Sequence, residues 1–178
     1  MIDALDGRLL AALVAVPRAG VVELARQLGV ARGTAQARLD RLQQRGIITG
    51  FGPDLDLPAL GYGVLAFTTL EIAQGRLNDV VAHLRDIPEV LEAHGTSGTG
   101  DLHCRVVART NADLQRVINR VLEVRGIDRS TTVIALSEQI RHRVVPLVAA
   151  AAGGTTRINP LSPATTGRTD SEIPATGA

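Results

Sequence analysis

Within its first 46 residues the chain is divided by one proline and two glycines into three short segments of helical periodicity, and this division constrains the fold more than any other feature. Asp3 can cap a first helix, which carries its leucines on one face and ends at Pro17. A second segment runs from Val21 to Leu28 and is closed by Gly29, which can adopt the left-handed conformation that ends helices. Three short helices joined by tight turns predict a helix-turn-helix domain over residues 1–50.

The third segment runs from Arg32 to Arg45, with Ala35, Leu39 and Leu42 on its buried side. In a helix-turn-helix, this helix enters the major groove of DNA with its first turns nearest the bases. Arginine can read guanine and glutamine can read adenine through paired hydrogen bonds, so we expect Arg32 and Gln36 at base edges. Around them we expect three arginines to contact phosphates: Arg38, Arg41 and Arg45. Thr34 is expected to contribute a hydroxyl contact, and Gly33 and Ala37 are expected to allow close approach of the helix.

The distribution of charge supports a polyanion partner for this first domain. The 178 residues carry a net charge of only +1, and all 19 basic residues are arginine. Residues 18–45, however, hold six arginines against two acidic residues, whereas residues 51–63 are acidic and residues 64–150 are balanced. Basic charge confined to one segment is typical of nucleic-acid binding, although an arginine-rich helix can also be a merely solvated surface.

The second half of the chain predicts an α+β domain of the ferredoxin-like type over residues 64–148. Its apolar patterning alternates between strand and helix periods in the order βαββαβ, which gives an antiparallel sheet with both helices on one face. The strands are expected at 62–72, 90–96, 102–108 and 130–136, and the helices begin near Leu77 and Leu114. Residues 51–63 are expected to be a linker. Residues 149–178 are expected to be a disordered tail, with order lost from about Gly153.

One face of that sheet is left without a helical cover. We expect Val64, Phe67, Val106 and Val133 to lie on this open face and to be buried by a second copy of the chain, because a self-complementary apolar patch yields a twofold dimer.

A glycine-rich loop between the second and third predicted strands is the best candidate for a ligand site. Its residues Gly98, Thr99, Gly100 and Asp101 offer backbone N–H groups and hydroxyls to an anion, and a carboxylate to a cation. A free amino acid carries both charges. The alternative is a mobile hairpin loop with no ligand.

The sequence contains no motif for a catalytic or metal centre. Its candidates are Cys104 and four histidines, and His103 and Cys104 are expected on opposite faces of one strand. A lone cysteine excludes an internal disulfide, and the chain has no uninterrupted apolar stretch long enough to span a membrane. We expect a cytoplasmic protein that is not an enzyme and uses no cofactor or metal.

Several segments together resemble the Lrp/AsnC (feast/famine) transcriptional regulators over roughly residues 2–148. The segments are IDALDGRLL at 2–10, VELA at 22–25, LGV at 28–30, RLDRL at 38–42, GII at 46–48, LGY at 60–62 and GTGD at 98–101. The resemblance implies double-stranded operator DNA as partner and dimers through the second domain, gathered into tetramers, octamers or larger rings. It also implies a small effector, mostly an amino acid, in a cleft lined by the loop at 98–101.

The chain departs from the family pattern at two positions. Ala31 stands where the family usually has a serine that caps the recognition helix, and Gly100 stands where many members have an aromatic residue. Two other functions stay open: a sirohaem-decarboxylase-like enzyme on the same architecture, or a sensor in which the effector domain matters more than DNA. The segment 93–95 lacks the aromatic and arginine surroundings expected of such an enzyme.

Overall fold

The computed structural model describes residues 2–153, which divide into two compact units: residues 2–51 with 143–153, and residues 52–142. In chain order the elements are α1 (Ala4–Ala15), α2 (Val21–Leu28), α3 (Arg32–Gln44), β1 (Val64–Ile72), α4 (Leu77–Arg85), β2 (Val90–Gly95), β3 (Leu102–Ala108), α5 (Asn111–Val121), β4 (Ile127–Ile134) and α6 (Val145–Ala151).

The helices of the first unit begin and end where the local residues favour it. Asp3 and Asp6 form a reciprocal capping box at the start of α1, each carboxylate accepting the other residue's backbone N–H. Gly29 ends α2 in the left-handed conformation at φ 67°. Ala31 caps α3 without a side-chain hydrogen bond. The buried residues Leu9, Leu10, Leu24, Leu28 and Leu42 form the core.

The helix α6 is absent from the expectations above and belongs to this first unit. It packs against α1 at Gly7, where a Cβ atom would lie 2.7 Å from the Cβ of Ala152, so the absence of a side chain permits the approach. Val148 adds to the core. Residues 149–151, which the sequence assigns to a disordered tail, therefore continue a helix that packing on α1 stabilises. The rest of that predicted tail, from residue 154, lies outside the described residues.

The second unit is the βαββαβ arrangement that the sequence predicts. Its sheet has the order β2-β3-β1-β4, and all neighbouring pairs are antiparallel. The helices α4 and α5 bury one face of the sheet through a core that includes Leu70, Val80, Leu84, Val117 and Val121.

The residues on the open face differ in part from those expected. Phe67 and Val133 are opposite each other across β1 and β4, and Val133 is 56% exposed. Val64 and Val106, however, belong to the helix-covered face: Val106 is fully buried there and Val64 packs against the same core. The sequence expectation was wrong for these two residues because side chains alternate along a strand. Val64 is three residues from Phe67 in β1, and Val106 pairs with Ala66, the neighbour of Phe67.

Candidate nucleic-acid interface and ligand loop

The third helix presents an exposed face of the kind that the helix-turn-helix prediction requires. Ala35 and Leu42 are buried in the unit. The opposite side exposes both residues expected at base edges, and Gln36 Nε2 donates to Asp40 Oδ1 at 2.7 Å one helical turn away. The other exposed members of the expected set are Gly33, Thr34, Ala37, Arg41 and Arg45.

Two arginines of the expected phosphate contacts bind carboxylates of the first helix instead of lying free. Arg38 Nη1 is 2.5 Å from Asp3 Oδ2 and 2.8 Å from Asp6 Oδ1. Arg41 Nη2 donates to both oxygens of Asp6, at 3.0 and 2.9 Å. The Asp6 side chain is completely buried, whereas those of Arg38 and Arg41 are 25% and 48% exposed. We call these four residues the α1–α3 clasp, since they fix α3 against the start of α1.

The clasp shifts the titration of both aspartates. Hydrogen bonding to Arg38, with the backbone N–H of Asp6, lowers the pKa of Asp3 to about 2. Burial raises the pKa of Asp6, but the Asp3 N–H and the guanidinium groups of Arg38 and Arg41 outweigh it, so the net pKa is lowered. Both aspartates are therefore charged at neutral pH, and they offset much of the positive charge that Arg38 and Arg41 bring to α3.

Sequence reasoning missed the clasp because its partners are 32 to 35 positions apart. A signal was nevertheless present: Asp3 and Asp6 are three residues apart near the start of one helix, and Arg38 and Arg41 are three apart on another. Such spacing places each pair on one helix face, where the two pairs can meet if the helices pack together.

The loop between β2 and β3 is held in a defined conformation. Asp101 Oδ2 accepts the backbone N–H of Ile72 at 2.6 Å, and its own N–H donates to the Leu70 carbonyl at 2.7 Å. Thr96 Oγ1 donates to the Gly100 carbonyl at 3.1 Å. The Asp101 carboxylate is thus a structural bridge to β1 as well as a candidate ligand group.

The backbone conformation and the neighbouring side chain explain why position 100 is a glycine. Its φ is 85°, a conformation that side chains rarely adopt, and a Cβ atom there would collide with Cγ2 of Thr69. This geometry leaves no room for the aromatic residue that many family members have at this position. The remaining loop residues, Gly98 and Thr99, are accessible at the tip.

The histidines and the cysteine are dispersed. His103 lies on the open sheet face and stacks on Phe67 at 5.6 Å between ring centroids, whereas Cys104 is buried on the helix side. His83 Nε2 donates to the Arg120 carbonyl at 2.7 Å and so links α4 to α5. In residues 2–153, no group of three His, Cys, Asp or Glu side chains could hold a metal ion. Over the same residues, no helix is long and apolar enough to cross a membrane.

These two units define a class of protein: a helix-turn-helix with an exposed third helix, joined to a ferredoxin-like unit with one open sheet face. The AsnC-type helix-turn-helix domain family matches residues 2–43, and the Lrp/AsnC ligand-binding domain family matches residues 65–145. The chain belongs to the Lrp/AsnC family.

Individual relatives agree with this assignment. The regulatory protein AsnC of Escherichia coli is 34% identical over 148 residues, 82% of this chain and 97% of the relative. The HTH-type transcriptional regulator AldR of Mycolicibacterium smegmatis is 31% identical over 143 residues, 79% of this chain and 84% of the relative.

Solved structures show the same fold. The structure of E. coli AsnC superposes with a TM-score of 0.77 at 33% identity, covering 82% of this chain and 99% of that one. The transcriptional regulator NMB0573 of Neisseria meningitidis, solved as an L-Met complex, superposes with a TM-score of 0.73 at 23% identity, covering 80% of this chain and 94% of that one.

Proposed function

We propose that this protein is a sequence-specific DNA-binding transcriptional regulator that responds to a small effector. The observation that carries the proposal is the exposed face of α3 in a helix-turn-helix unit, with Arg32 and Gln36 in its first turns. Arg32 and Gln36 read base edges, Thr34 contributes a hydroxyl, and Gly33 and Ala37 permit close approach of the helix to the groove.

The three remaining arginines have different roles in DNA binding. Arg45, exposed at the end of α3, contacts phosphate. Arg41, about half exposed, contacts phosphate through the N–H donors that Asp6 does not occupy. Arg38 is more buried and binds both Asp3 and Asp6, so we assign it mainly to positioning α3, with any phosphate contact secondary.

The DNA contacts are tested by titrating the chain's own upstream DNA at about 50 mM salt, where phosphate contacts are strongest. Arg32→Ala is expected to relax sequence preference. Arg45→Ala is expected to weaken all sequences alike and to reduce the salt slope by about 1. Arg85→Ala is the control, because Arg85 is an exposed arginine of α4 in the other unit. Absence of DNA binding at this salt concentration would refute the regulator proposal.

The effector in this proposal is an amino acid or a related metabolite bound at Gly98, Thr99, Gly100 and Asp101, between neighbouring effector domains. Both charges of an amino acid have partners in the loop, and a regulator with this fold has been solved with L-Met. Effector binding biases the assembly among oligomeric states and so changes DNA affinity.

Two substitutions of Asp101 distinguish its structural role, the hydrogen bond to β1, from the role of its negative charge. Asp101→Asn keeps an oxygen that can accept the Ile72 N–H but removes the negative charge, whereas Asp101→Ala removes both. We expect both variants to lose the melting-temperature shift that an amino-acid panel induces, and only Asp101→Ala to lose intrinsic stability. An unchanged shift in Asp101→Asn would contradict the effector assignment.

A second copy of the chain is the partner that we propose for the open sheet face. Its apolar residues continue into a groove of about 500 Å³ between segments 54–63 and 135–142, where Leu55 and Leu136 are exposed. The dimer assembles further into tetramers or octamers. Native mass spectrometry, with and without amino acids and promoter DNA, tests the assembly, and a monomer at all concentrations would refute it.

The enzyme alternative makes a different prediction. A sirohaem-decarboxylase-like protein would bind a tetrapyrrole, which an absorbance titration detects, and would show no specific gel shift with its upstream DNA. The named relatives given above are regulators, which favours DNA binding and hence a place in the cytoplasm with the chromosome.

A further inference from the structure

A cleft of about 270 Å³ lies in the second unit at the end of the sheet where β1 begins and β3 ends. The ligand loop at 98–101 is at the other end of β3, about 20 Å away along the strand. The cleft is therefore separate from the site proposed above. Its floor is apolar and buried, formed by Ala108 and Val117, and its rim carries Tyr62 and three arginines.

The charges around this cleft are not balanced. Arg120 pairs with Glu89 at 3.1 Å, and Arg116 pairs with Asp113. The third arginine, Arg109, has its guanidinium carbon 5.5 Å from the centre of the Tyr62 ring. Of the five charged side chains that line the cleft in the described chain, three are positive and two are negative, so the site carries one surplus positive charge, on Arg109.

The contact with Tyr62 orients Arg109 for binding. The cation–π contact holds the guanidinium through its charge and, unlike an ion pair, places no acceptor atom on the N–H donors of its planar fork. A carboxylate matches that planar fork with two parallel hydrogen bonds. The Ala108 and Val117 floor offers nothing to an inorganic anion but favours a small apolar group.

We propose that the Arg109 cleft is a second ligand site, for a small organic carboxylate of about amino-acid size. Arg109 binds the carboxylate, and the floor at Ala108 and Val117 packs against the apolar part. A ligand with a single negative charge neutralises the one surplus positive charge of the cleft, whereas a phosphate dianion would leave a net negative charge there. The proposal concerns only the second unit and does not depend on DNA binding or on the loop site.

The test uses the full chain and four probes that separate the ligand groups: L-valine, 2-ketoisovalerate, L-valinamide and inorganic phosphate. Tyr62 is the single tyrosine and the chain has no tryptophan, so tyrosine fluorescence reports on a side chain that lines the cleft. Tyr62 also borders the groove between segments 54–63 and 135–142, so the variants below assign the signal to Arg109. We expect saturable fluorescence changes with 2-ketoisovalerate and L-valine, and none with L-valinamide or phosphate. This comparison needs no substitution, so it is independent of the folding of any variant.

Variants then assign the binding to a residue. Calorimetric titration of Arg109→Gln should show at least a tenfold loss of affinity, and Arg109→Lys, which keeps the charge but not the fork, a smaller loss. Arg85→Gln, an exposed control in α4, should bind both carboxylates as the native chain does.

The proposal is overturned if neither carboxylate binds, if phosphate or L-valinamide binds as well as they do, or if Arg109→Gln retains native affinity. It is also overturned if the affinity for 2-ketoisovalerate falls in Asp101→Asn and not in Arg109→Gln.

Discussion

Asp6→Asn is the most informative single substitution in the first unit, because it removes one charge from the α1–α3 clasp without changing side-chain size. The native carboxylate is fully buried and binds Arg38 at 2.8 Å and Arg41 at 2.9 Å. In the variant, Arg38 keeps its 2.5 Å contact with Asp3. Arg41 keeps at most a neutral amide oxygen as acceptor in place of its two carboxylate contacts, and its next carboxylate oxygen, on Asp3, is 4.0 Å away, so Arg41 is held more weakly.

The loss of stability depends on how well water can solvate the two arginines in the variant. Breaking a fully buried ion pair costs about 3 to 5 kcal/mol, and a hydrogen bond to a charged group contributes about 1.5 to 3 kcal/mol. The Arg38 and Arg41 side chains are 25% and 48% exposed, so water can solvate them once Asp6 is neutral. We therefore expect the free energy of unfolding to fall by about 2 kcal/mol, which in a unit of this size lowers its melting temperature by about 8 to 16 °C.

The same substitution changes DNA binding in two opposite ways. Arg41, no longer paired with a charged Asp6, can contact phosphate more freely, so non-specific affinity and the salt slope should increase. The position of α3 is less well fixed, so the ratio of specific to non-specific affinity should fall. Circular dichroism melts and anisotropy titrations with specific and scrambled DNA measure both effects.

Glu23→Gln is the matched control, since Glu23 forms an ion pair with Arg26 within α2 that lies on the surface. It should leave both readouts unchanged. Equal melting temperatures for native and Asp6→Asn protein, or an unchanged specificity ratio, would refute the reasoning.

Because the folded-state pKa of Asp6 is lowered, its contribution to stability is present above the ordinary value of 3.8 and is lost as the pH falls below it. The stability difference between native and variant protein should therefore shrink below about pH 4.

Three further predictions follow from single positions. Ala31→Ser should raise the stability of the first unit by about 1 kcal/mol by capping α3, with Ala31→Val as a control that lacks the oxygen; no gain in melting temperature would contradict this. Gly7→Ala should destabilise by about 1 kcal/mol in spite of better helix propensity, because the new Cβ meets Ala152, and the double variant with Ala152→Gly should recover the loss; a stabilised single variant would argue against the α1–α6 contact. Burial raises the pKa of the Cys104 thiol to about 11, so native protein should resist alkylation at pH 8 and react on unfolding; rapid native alkylation would show that the core opens.

The parts of the fold that local residues determine were predictable from the sequence. Asp3, Gly29 and Gly46 mark helix ends by their own chemistry, and α2 and β3 have the predicted bounds. The order βαββαβ is enough to predict the antiparallel sheet. The helix α6 was not predictable in this way: Val144 offers no side-chain cap, and the helix is stabilised by its contact with α1.

The face of a strand residue was harder to predict than the strand itself. Both Val64 and Phe67 lie in β1, but they are three residues apart, so they must point to opposite faces. Hydrophobicity alone did not show which residue lies on which face, because β1 carries apolar side chains on both its helix-covered face and its open face. Alternation from a single buried residue such as Ala66 would have assigned Val64 correctly.

The candidate site residues illustrate a more general difficulty. Arg38, Arg41 and Asp101 have the right chemistry for phosphate or an amino acid, yet each also holds its own element in place through short polar contacts. Sequence motifs cannot distinguish these roles, since both require the same residue type at the same position. Alanine substitution removes both roles together, and a loss of binding would then be uninterpretable. An isosteric change such as Asp101→Asn removes the charge but keeps an acceptor, so a binding defect without a folding defect identifies the functional role.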